Sequence, residues 1–513
     1  MPVSHDDDVF AYEQETRRLA KGGGLLFAGQ LAHRLLLAGG MALVANLLGA
    51  AQFGLFALAR NTVQALEPLL CLGLPEGAVR YVAIHDASGA PDKVKGTVLA
   101  AFGFVVGAGA AAAVALWLAA GWVAEAVFHK PELSRPLQLM GLAIPFVALA
   151  RLLGQSALGR KNAGPQAAQL LTFAAAFPLC FLVFYYLTDV TAWHAVVCFG
   201  VAVALSVVAA AWGVSALFPE LRDRQIHAKF TTGALLAFSA PLMLADLSNL
   251  GVYQVNTALA GIWVDSHLVG AYAVANFLAF FGTVGLVAVR SVFSPSIAHL
   301  HSQGLINELA RLFKTTTRWS ALLGLPVLAF LIVEAGPILG IVGHEYLDAV
   351  VPLQILCLGH VVNVLTGAVG FVLTMTGHQW QNLATTVAMA VLNILLCVFL
   401  TPAYLVSGTA IAAAVAVAAF NVVKLGQVWY HVRVWPYDLS ILKPIISTLA
   451  AAGVLLLLGG DGLFWLLARL MVFVAVVVVV YVLLGINDDD RIVLAALRKR
   501  FAPGSSGNGQ PTG

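Results

Sequence analysis

Apolar stretches of about twenty residues recur from residue 24 to residue 485, separated by short polar or charged segments. A stretch of this length crosses the hydrocarbon core of a bilayer as an α-helix. We predict about fourteen such helices, with centres near residues 36, 63, 108, 147, 177, 205, 247, 279, 327, 362, 392, 415, 451 and 474. No window alternates apolar and polar residues like a barrel strand, so the pattern predicts an all-α membrane protein.

Turn signals are scarce in two places. Thr401-Pro402 separates the spans centred at 392 and 415, and the Gly-Gly-Asp-Gly run at 459–462 separates those at 451 and 474. Residues 296–314 carry a helical apolar stripe and predict an amphipathic helix on the inner membrane surface.

Composition supports the membrane assignment. Of the 513 residues, 60% are hydrophobic and 10% are charged, whereas a soluble chain carries roughly a quarter charged residues. The five cysteines lie in apolar runs without CxxC spacing. They are interpreted as small apolar side chains, not as a disulfide or metal framework.

Charge distribution predicts the orientation. Of the 28 Lys and Arg residues, 21 fall in the predicted inner segments, five lie within spans, and only Lys130 and Arg135 lie outside. This is the positive-inside pattern. It predicts a multi-pass protein with both termini cytoplasmic, namely an N-terminal segment at 1–23 and a tail at 486–513.

The chain also contains a candidate internal repeat. Residues 54–60 (GLFALAR) resemble residues 270–276 (GAYAVAN), and each copy leads towards a positively charged inner segment. Six helices per copy predict two pseudo-symmetric lobes, at 24–217 and 218–430, around a central cavity. Residues 431–485 then supply two C-terminal helices.

Motifs for several kinds of chemistry are absent from the sequence. There is no GxxxxGK[ST] loop, no HExxH and no His/Cys cluster, so we expect no cofactor, no metal site and no nucleic-acid partner. The predicted outer loops are short, the longest at about residues 123–135. That argues against an enzyme such as a membrane-bound sugar transferase or polymerase component, which remains a third hypothesis.

Polar side chains inside the spans are costly and mark a pathway or a partner. Within each span they share one helical face. The main candidates, in chain order, are Gln30, His33, Arg34, Arg60, Gln64, Glu67, Arg151, Gln155, Asp246, Asn249, Tyr253, Asn256, Asn276, Thr283, Arg290, His360 and Asn363.

Structural alternatives remain open for several of them. Three cations near helix ends could simply extend to the membrane–water interface. They are Arg290 and Lys424 near inner ends and Arg469 near an outer end. Asn and Gln could simply join helices by hydrogen bonds. Arg60 and Glu67 could form a structural ion pair.

The deep charges are mostly cationic, since Arg34, Arg60 and Arg151 are set against Glu67 and Asp246. Arginine binds forked oxygens, so phosphate or pyrophosphate is the expected ligand. The predicted binding set is Arg34, Arg60, Arg151, Arg290, Gln30, Gln64, Asn249 and Asn276. Glu67 and Asp246 are candidates for coupling transport to an ion gradient or voltage.

Two regions carry a family resemblance. They comprise residues 48–59 (LGAAQFGLFALA), 72–75 and 79–80, then 343–346, 353, 355 and 376–378. Over roughly residues 24–427 the chain resembles the polysaccharide flippases of the multidrug/oligosaccharidyl-lipid/polysaccharide exporter (MOP) superfamily. In that comparison Arg34, Arg60 and, less closely, Arg290 match positions of cavity arginines.

The resemblance implies an alternating-access transporter of the bacterial inner membrane. It would carry undecaprenyl-pyrophosphate-linked oligosaccharide repeat units to the outer leaflet for O-antigen or exopolysaccharide assembly. Implied partners are that lipid-linked oligosaccharide, membrane lipids, and polymerase and chain-length proteins of the pathway. Unlike in lipid II flippases, Arg34 is followed by Leu35 instead of an acid, which disfavours a peptidoglycan precursor.

A second function stays open on the same scaffold. A cation-coupled exporter of drugs or small metabolites would use Asp246 as its substrate or proton site, and Arg34 would then be structural.

Overall fold

The computed structural model describes residues 33–460, 462–485 and 487, without the side chains of residues 288, 290–292, 294 and 295. Gln30, the N-terminal segment and the tail beyond 487 therefore lie outside the described residues. Within the described ranges the regular structure is helical throughout, with no strand. The prediction of an all-α fold is confirmed.

Seven helices make up the N-terminal group. They are α1 (His33–Leu48), α2 (Ala50–Cys71), α3 (Leu74–Ala87), α4 (Pro91–Trp122), α5 (Ser134–Ser156), α6 (Gly164–Leu187) and α7 (Ala192–Leu217). Helices α4, α5, α6 and α7 pack against one another, and α2 packs on α5 and α7. Phe56 of α2 stacks on Phe177 of α6 with ring centroids 5.6 Å apart, which places this group around an aromatic core.

The remaining helices form a second group and a C-terminal pair. They are α8 (Thr232–Tyr253), α9 (Asn256–Trp263), α10 (Ser266–Phe281), α11 (Val284–Ser302), α12 (Ile306–Val333), α13 (Ala335–Val342), α14 (Val350–Thr366), α15 (Val369–Met375), α16 (Gln379–Val432), α17 (Leu442–Leu456) and α18 (Leu463–Leu483). Helices α8 to α16 pack among themselves, while α17 and α18 pack together against α12.

Ten of the described helices are long and apolar enough to cross a membrane. Helix α2 is long enough but not among these ten, because four polar residues lower its mean hydropathy, namely Arg60, Asn61, Gln64 and Glu67. Each of the fourteen predicted centres lies on a described helix. The chain is thus a multi-pass membrane protein, while fourteen crossings and the lobe boundaries stay predictions.

The turn predicted at Thr401-Pro402 coincides with a break in α16. Leu405 there has φ 52° and ψ −138°, so the 54-residue element is two helices joined at this residue. A non-glycine residue adopts this region only where surrounding packing imposes it. The two spans predicted around this point are therefore distinct helices.

The predicted amphipathic helix at 296–314 is wrong as a single surface element. Helix α11 ends at Ser302, Gly304 turns the chain with φ 72°, and α12 begins at Ile306. Ile297 and Leu309 are buried in a cluster with residues of α15 and α16. The apolar stripe packs inside the protein because neighbouring helices cover it.

Candidate functional site: a cavity between the two helix groups

A cavity of about 770 Å³ lies between the two helix groups and is lined by α1, α2, α6 and α8 to α11. Four predicted binding residues converge on it, namely Arg34, Arg60, Gln64 and Asn276. Helices α1 and α2 present the two arginines from one side, and α10 presents Asn276 from the other. The volume falls within the range of roughly 300–1,000 Å³ usual for small-molecule sites.

The two arginines have few competing partners. The guanidinium carbon of Arg34 lies 5.9 Å from the ring centroid of Phe280. Arg60 places Nη1 3.7 Å from the sulfur of Met41, and its buried Nε has no hydrogen-bond partner among the described residues. Both arginines are partly buried. Covering a guanidinium group without an anion is costly, so the arrangement suits an anionic ligand.

The lining is positively charged. Among the described residues around the cavity, Arg34 and Arg60 are the charged side chains, and none is an Asp or Glu. The other polar groups are amides, a threonine hydroxyl, a tyrosine and His33. An anion that enters meets cationic and hydrogen-bonding groups without carboxylate repulsion.

Glu67 pairs with Arg151 and not with Arg60. The Nη1 atom of Arg151 lies 3.4 Å from Glu67, and its Nη2 atom lies 2.9 Å from Glu76 and 2.5 Å from Asp246. We call these four side chains the Arg151 cluster. The sequence alternative of an Arg60–Glu67 ion pair is therefore wrong.

The Arg151 cluster joins the two helix groups. Helices α2, α3 and α5 supply Glu67, Glu76 and Arg151, while α8 supplies Asp246. The side chains are between a fifth and about a third exposed, and their formal charges sum to −2. Arg151 lies outside the cavity lining, and its guanidinium is engaged by carboxylates, so the structure does not bring it to Arg34 and Arg60.

Of the three remaining predicted site residues, the described structure places only the side chain of Asn249. Asn249 is an exposed residue of α8 and does not line the cavity. Arg290 lies in α11, with its side chain outside the described part of the structure. Gln30 precedes the first described residue. Asn256, by contrast, accepts a hydrogen bond of 2.9 Å from Asn393, which is the interhelical role considered for such amides.

Several lining residues were missed in the sequence. They are Asn61, Gln166, Gln254, Phe277, Phe280 and Phe281. Four of them lie on α2 or α10. Asn61 lies three residues before Gln64 and Phe280 lies four residues after Asn276, which is the spacing of one helical face. Aromatic residues carry no charge signal within an apolar span, so the pattern alone did not separate them from packing residues.

The predicted outer end of the cavity is closed by contacts between the groups. Helix α2 packs on α10 at Gly54 and Gly270. Nearby, the Tyr346 hydroxyl donates to the Ala45 carbonyl at 2.7 Å, and the Ala50 amide donates to Glu345 at 2.7 Å. Glu345 and Tyr346 precede α14, so both halves of the chain meet at this end.

The groups also meet at the predicted inner end. Gly73 and Gly77, flanking the start of α3, approach Ser239 of α8 so closely that a Cβ at either position would overlap it. Arg80 lies over the ring of Phe238 at 4.2 Å. Helices α3 and α8 thus form a second contact between the groups, on the side of the Arg151 cluster.

Of the cations predicted to extend to the membrane–water interface, Lys424 is buried and Arg469 is largely covered. Lys424 is 3% exposed, lies 3.5 Å from the Phe420 ring centroid and donates to Thr386 at 3.2 Å. Arg469 of α18 forms a 3.1 Å ion pair with Glu334, whose side chain is 2% exposed. The prediction that Arg469 extends to the interface is wrong, because Glu334 at the end of α12 provides a buried partner.

Solved structures share this fold. The structure described as lipid II flippase MurJ, inward closed conformation, matches with a TM-score of 0.68 at 15% identity, over 89% of this chain and 98% of that one. An inward-facing multidrug resistance MATE family transporter of the MOP superfamily matches with a TM-score of 0.69 at 11% identity, over 79% and 98%. At such identities the likeness concerns the fold.

Sequence comparisons give the family. A probable low-salt glycan biosynthesis flippase, Agl15 of Haloferax volcanii, is 24% identical over 250 residues, which are 48% of this chain. The match spans about half (52%) of the length of that relative. The profile of the family described as "Polysaccharide biosynthesis protein" matches residues 19–301, more than half of the chain. The chain therefore belongs to the polysaccharide biosynthesis protein family, as its resemblance to MOP-superfamily polysaccharide flippases predicted.

Proposed function

We propose that this protein is a flippase, not an enzyme, and that it moves undecaprenyl-pyrophosphate-linked oligosaccharide units from the inner to the outer leaflet of a bacterial inner membrane. The units would serve O-antigen or exopolysaccharide assembly. Polymerase and chain-length proteins of the same pathway would then receive the product. In this arrangement both termini lie in the cytoplasm.

The observation that carries the proposal is the charge of the cavity. Arg34 and Arg60 line it from α1 and α2, and no described lining residue is acidic. A pyrophosphate is a compact anion with forked oxygens, which two guanidinium groups can bind through charge-assisted hydrogen bonds. Membership of a polysaccharide biosynthesis family supports a sugar-bearing substrate.

The fold supports movement of the substrate by alternating access. The cavity lies between two helix groups that touch at the predicted outer end through α2 and α10, and at the predicted inner end through α3 and α8. Rocking of the groups would open one end while the other closes. The pyrophosphate and sugars occupy the cavity, and the lipid tail stays in the bilayer.

Glu67 and Asp246 are proposed to couple this motion to an ion gradient. Both contact Arg151, and Asp246 is the member of the cluster supplied by the second helix group. Separation of α8 from α5 would free the Asp246 carboxylate, which could then take up a proton or exchange partners.

The test is a thermal-shift titration of the purified protein with a soluble short-chain polyprenyl-pyrophosphate sugar. Binding to the folded state raises the melting temperature with ligand concentration. We expect the wild type to show this rise and Arg34→Ala and Arg60→Ala to lose most of it. Arg135→Ala is the matched control, because Arg135 lies over Trp193, away from the cavity.

The alternative exporter function predicts a different result. If the wild type shows no shift with the pyrophosphate sugar but is stabilised by a lipophilic cation, the protein is a cation exporter on the same scaffold. Equal stabilisation of all three arginine variants would place the pyrophosphate outside this cavity.

A further inference from the structure

Two opposite walls of the cavity lie on α2 and α10, the helices that carry the two segments of the predicted internal repeat. Positions 60, 61 and 64 of α2 line it, and so do positions 276, 277 and 280 of α10, which lie 216 residues further along. The first copy carries Arg60, Asn61 and Gln64, while the second carries Asn, Phe and Phe. Corresponding positions of α2 and α10 thus line the same cavity with different kinds of side chain.

The wall on α1 and α2 is suited to phosphate. Arg34 and Arg60 supply its positive charge, and Gln64 supplies an amide donor. The Asn61 amide donates to the Ala57 carbonyl of its own helix at 2.7 Å. A guanidinium group recognises charge and the fork of two oxygens, so the two arginines do not distinguish one sugar from another.

The opposite wall has the composition of a carbohydrate-binding surface. We call it the aromatic wall and define it by Tyr253, Gln254, Thr257, Asn276, Phe277 and Phe280. Ring faces pack against the C–H faces of a pyranose, and amide and hydroxyl groups pair with its hydroxyls. A hydrocarbon chain would offer no hydrogen-bond partner to the Gln254 and Asn276 amides, at a cost in free energy, so the mixture favours a sugar over the lipid tail.

The two walls meet at Arg34 and Phe280, where the guanidinium carbon is 5.9 Å from the ring centroid. A phosphate bound at Arg34 therefore lies beside the aromatic wall. The group covalently attached to that phosphate is then the first to reach Phe280 and, one turn earlier on α10, Asn276 and Phe277.

We propose, on the basis of the proposed function, that the aromatic wall binds the sugar linked directly to the pyrophosphate. The lobes then divide recognition: the first binds the pyrophosphate common to all such substrates, and the second selects the sugar.

The experiment measures dissociation constants for a C15 prenyl diphosphate whose terminal phosphate is methylated, here called the bare diphosphate, and for the same diphosphate carrying one glucose, galactose, N-acetylglucosamine or N-acetylgalactosamine. All five probes then carry the same charge. We expect at least one sugar to strengthen binding to the wild type by about tenfold. Phe277→Leu and Asn276→Ala should each reduce this gain to about twofold or less, with unchanged affinity for the bare diphosphate. Arg60→Ala should weaken all five probes by the same factor.

Phe399→Leu is the control, since Phe399 is a 73% exposed residue of α16 outside the cavity. The inference is overturned if the bare and sugar-bearing probes bind the wild type equally, or if the aromatic-wall variants weaken all probes alike. Failure of every diphosphate probe to bind would instead overturn the proposed function. Unchanged melting temperatures of the unliganded variants identify those that fold, and the two substitutions test the wall independently.

Discussion

Gly54 of α2 and Gly270 of α10 lie backbone to backbone across the contact between the two helix groups. A Cβ atom at Gly54 would stand 3.0 Å from the amide nitrogen of Gly270, and one at Gly270 would stand 2.9 Å from that of Gly54. Each would also overlap a carbonyl oxygen of the facing helix. These glycines begin the two segments of the predicted repeat, so equivalent positions of the two segments meet at the predicted outer end.

The first prediction concerns this contact. Gly270→Ala introduces a methyl group where only hydrogen fits, and overpacking of this kind costs about 1–3 kcal/mol. The closed outer end should lose stability relative to an open one. A cysteine placed at Ala273, which lines the cavity, should then react several-fold faster with a membrane-impermeant maleimide added from the predicted outer side.

The control for that measurement is Gly107→Ala in α4, where a Cβ would meet nothing within 4 Å. It should leave the reaction rate unchanged. Equal rates in Gly270→Ala and the wild type would show that the α2–α10 contact does not control access to the cavity.

The second prediction concerns Arg151. Arg151→Ala leaves Glu67, Glu76 and Asp246 close together without a cation, and their repulsion should destabilise the protein by about 2 kcal/mol, allowing for partial exposure. Adding Glu67→Gln and Asp246→Asn to this variant should recover part of the loss. Thermal unfolding in one detergent checks this, and a triple variant less stable than Arg151→Ala alone would contradict it.

The third prediction tests coupling. Asp246→Asn with Glu67→Gln removes two carboxylates that could take up protons, so flipping of a lipid-linked sugar in proteoliposomes should lose most of its dependence on a pH gradient. Asp86→Asn is the control, since Asp86 pairs with Arg160 on the surface of the N-terminal group. If the double variant keeps the wild-type gradient dependence, these acids have no coupling role.

The fourth prediction concerns Glu334 and Arg469, which join α18 to the end of α12. Arg469→Ala leaves the buried Glu334 carboxylate unpaired and should cost about 3–5 kcal/mol. The double substitution Glu334→Gln with Arg469→Met removes both charges and should cost less. Unfolding free energies of Glu334→Gln, Arg469→Met and the double variant, each relative to the wild type, give the coupling energy. A double variant as unstable as Arg469→Ala would refute a role for the ion pair.

Much of the fold could be predicted because local properties determine it. Hydrophobic runs must satisfy their backbone hydrogen bonds within the segment in lipid, so length and apolarity identify helices without knowledge of their neighbours. The same reasoning located the break near Thr401-Pro402, now seen at Leu405. It failed at 296–314, where Gly304 ends one helix and neighbouring helices bury the apolar stripe.

By itself, the sequence determined the membrane environment, the positions of the helices and the choice of Arg34 and Arg60 as deep cations. Only the tertiary structure decided which charges meet. Glu67 shares a helix with Arg60 but contacts Arg151 of α5, and Arg34 of α1 lies beside Phe280 of α10. The reason is physical: helical periodicity sets the face on which a side chain lies, whereas its partner depends on which distant helix packs against that face.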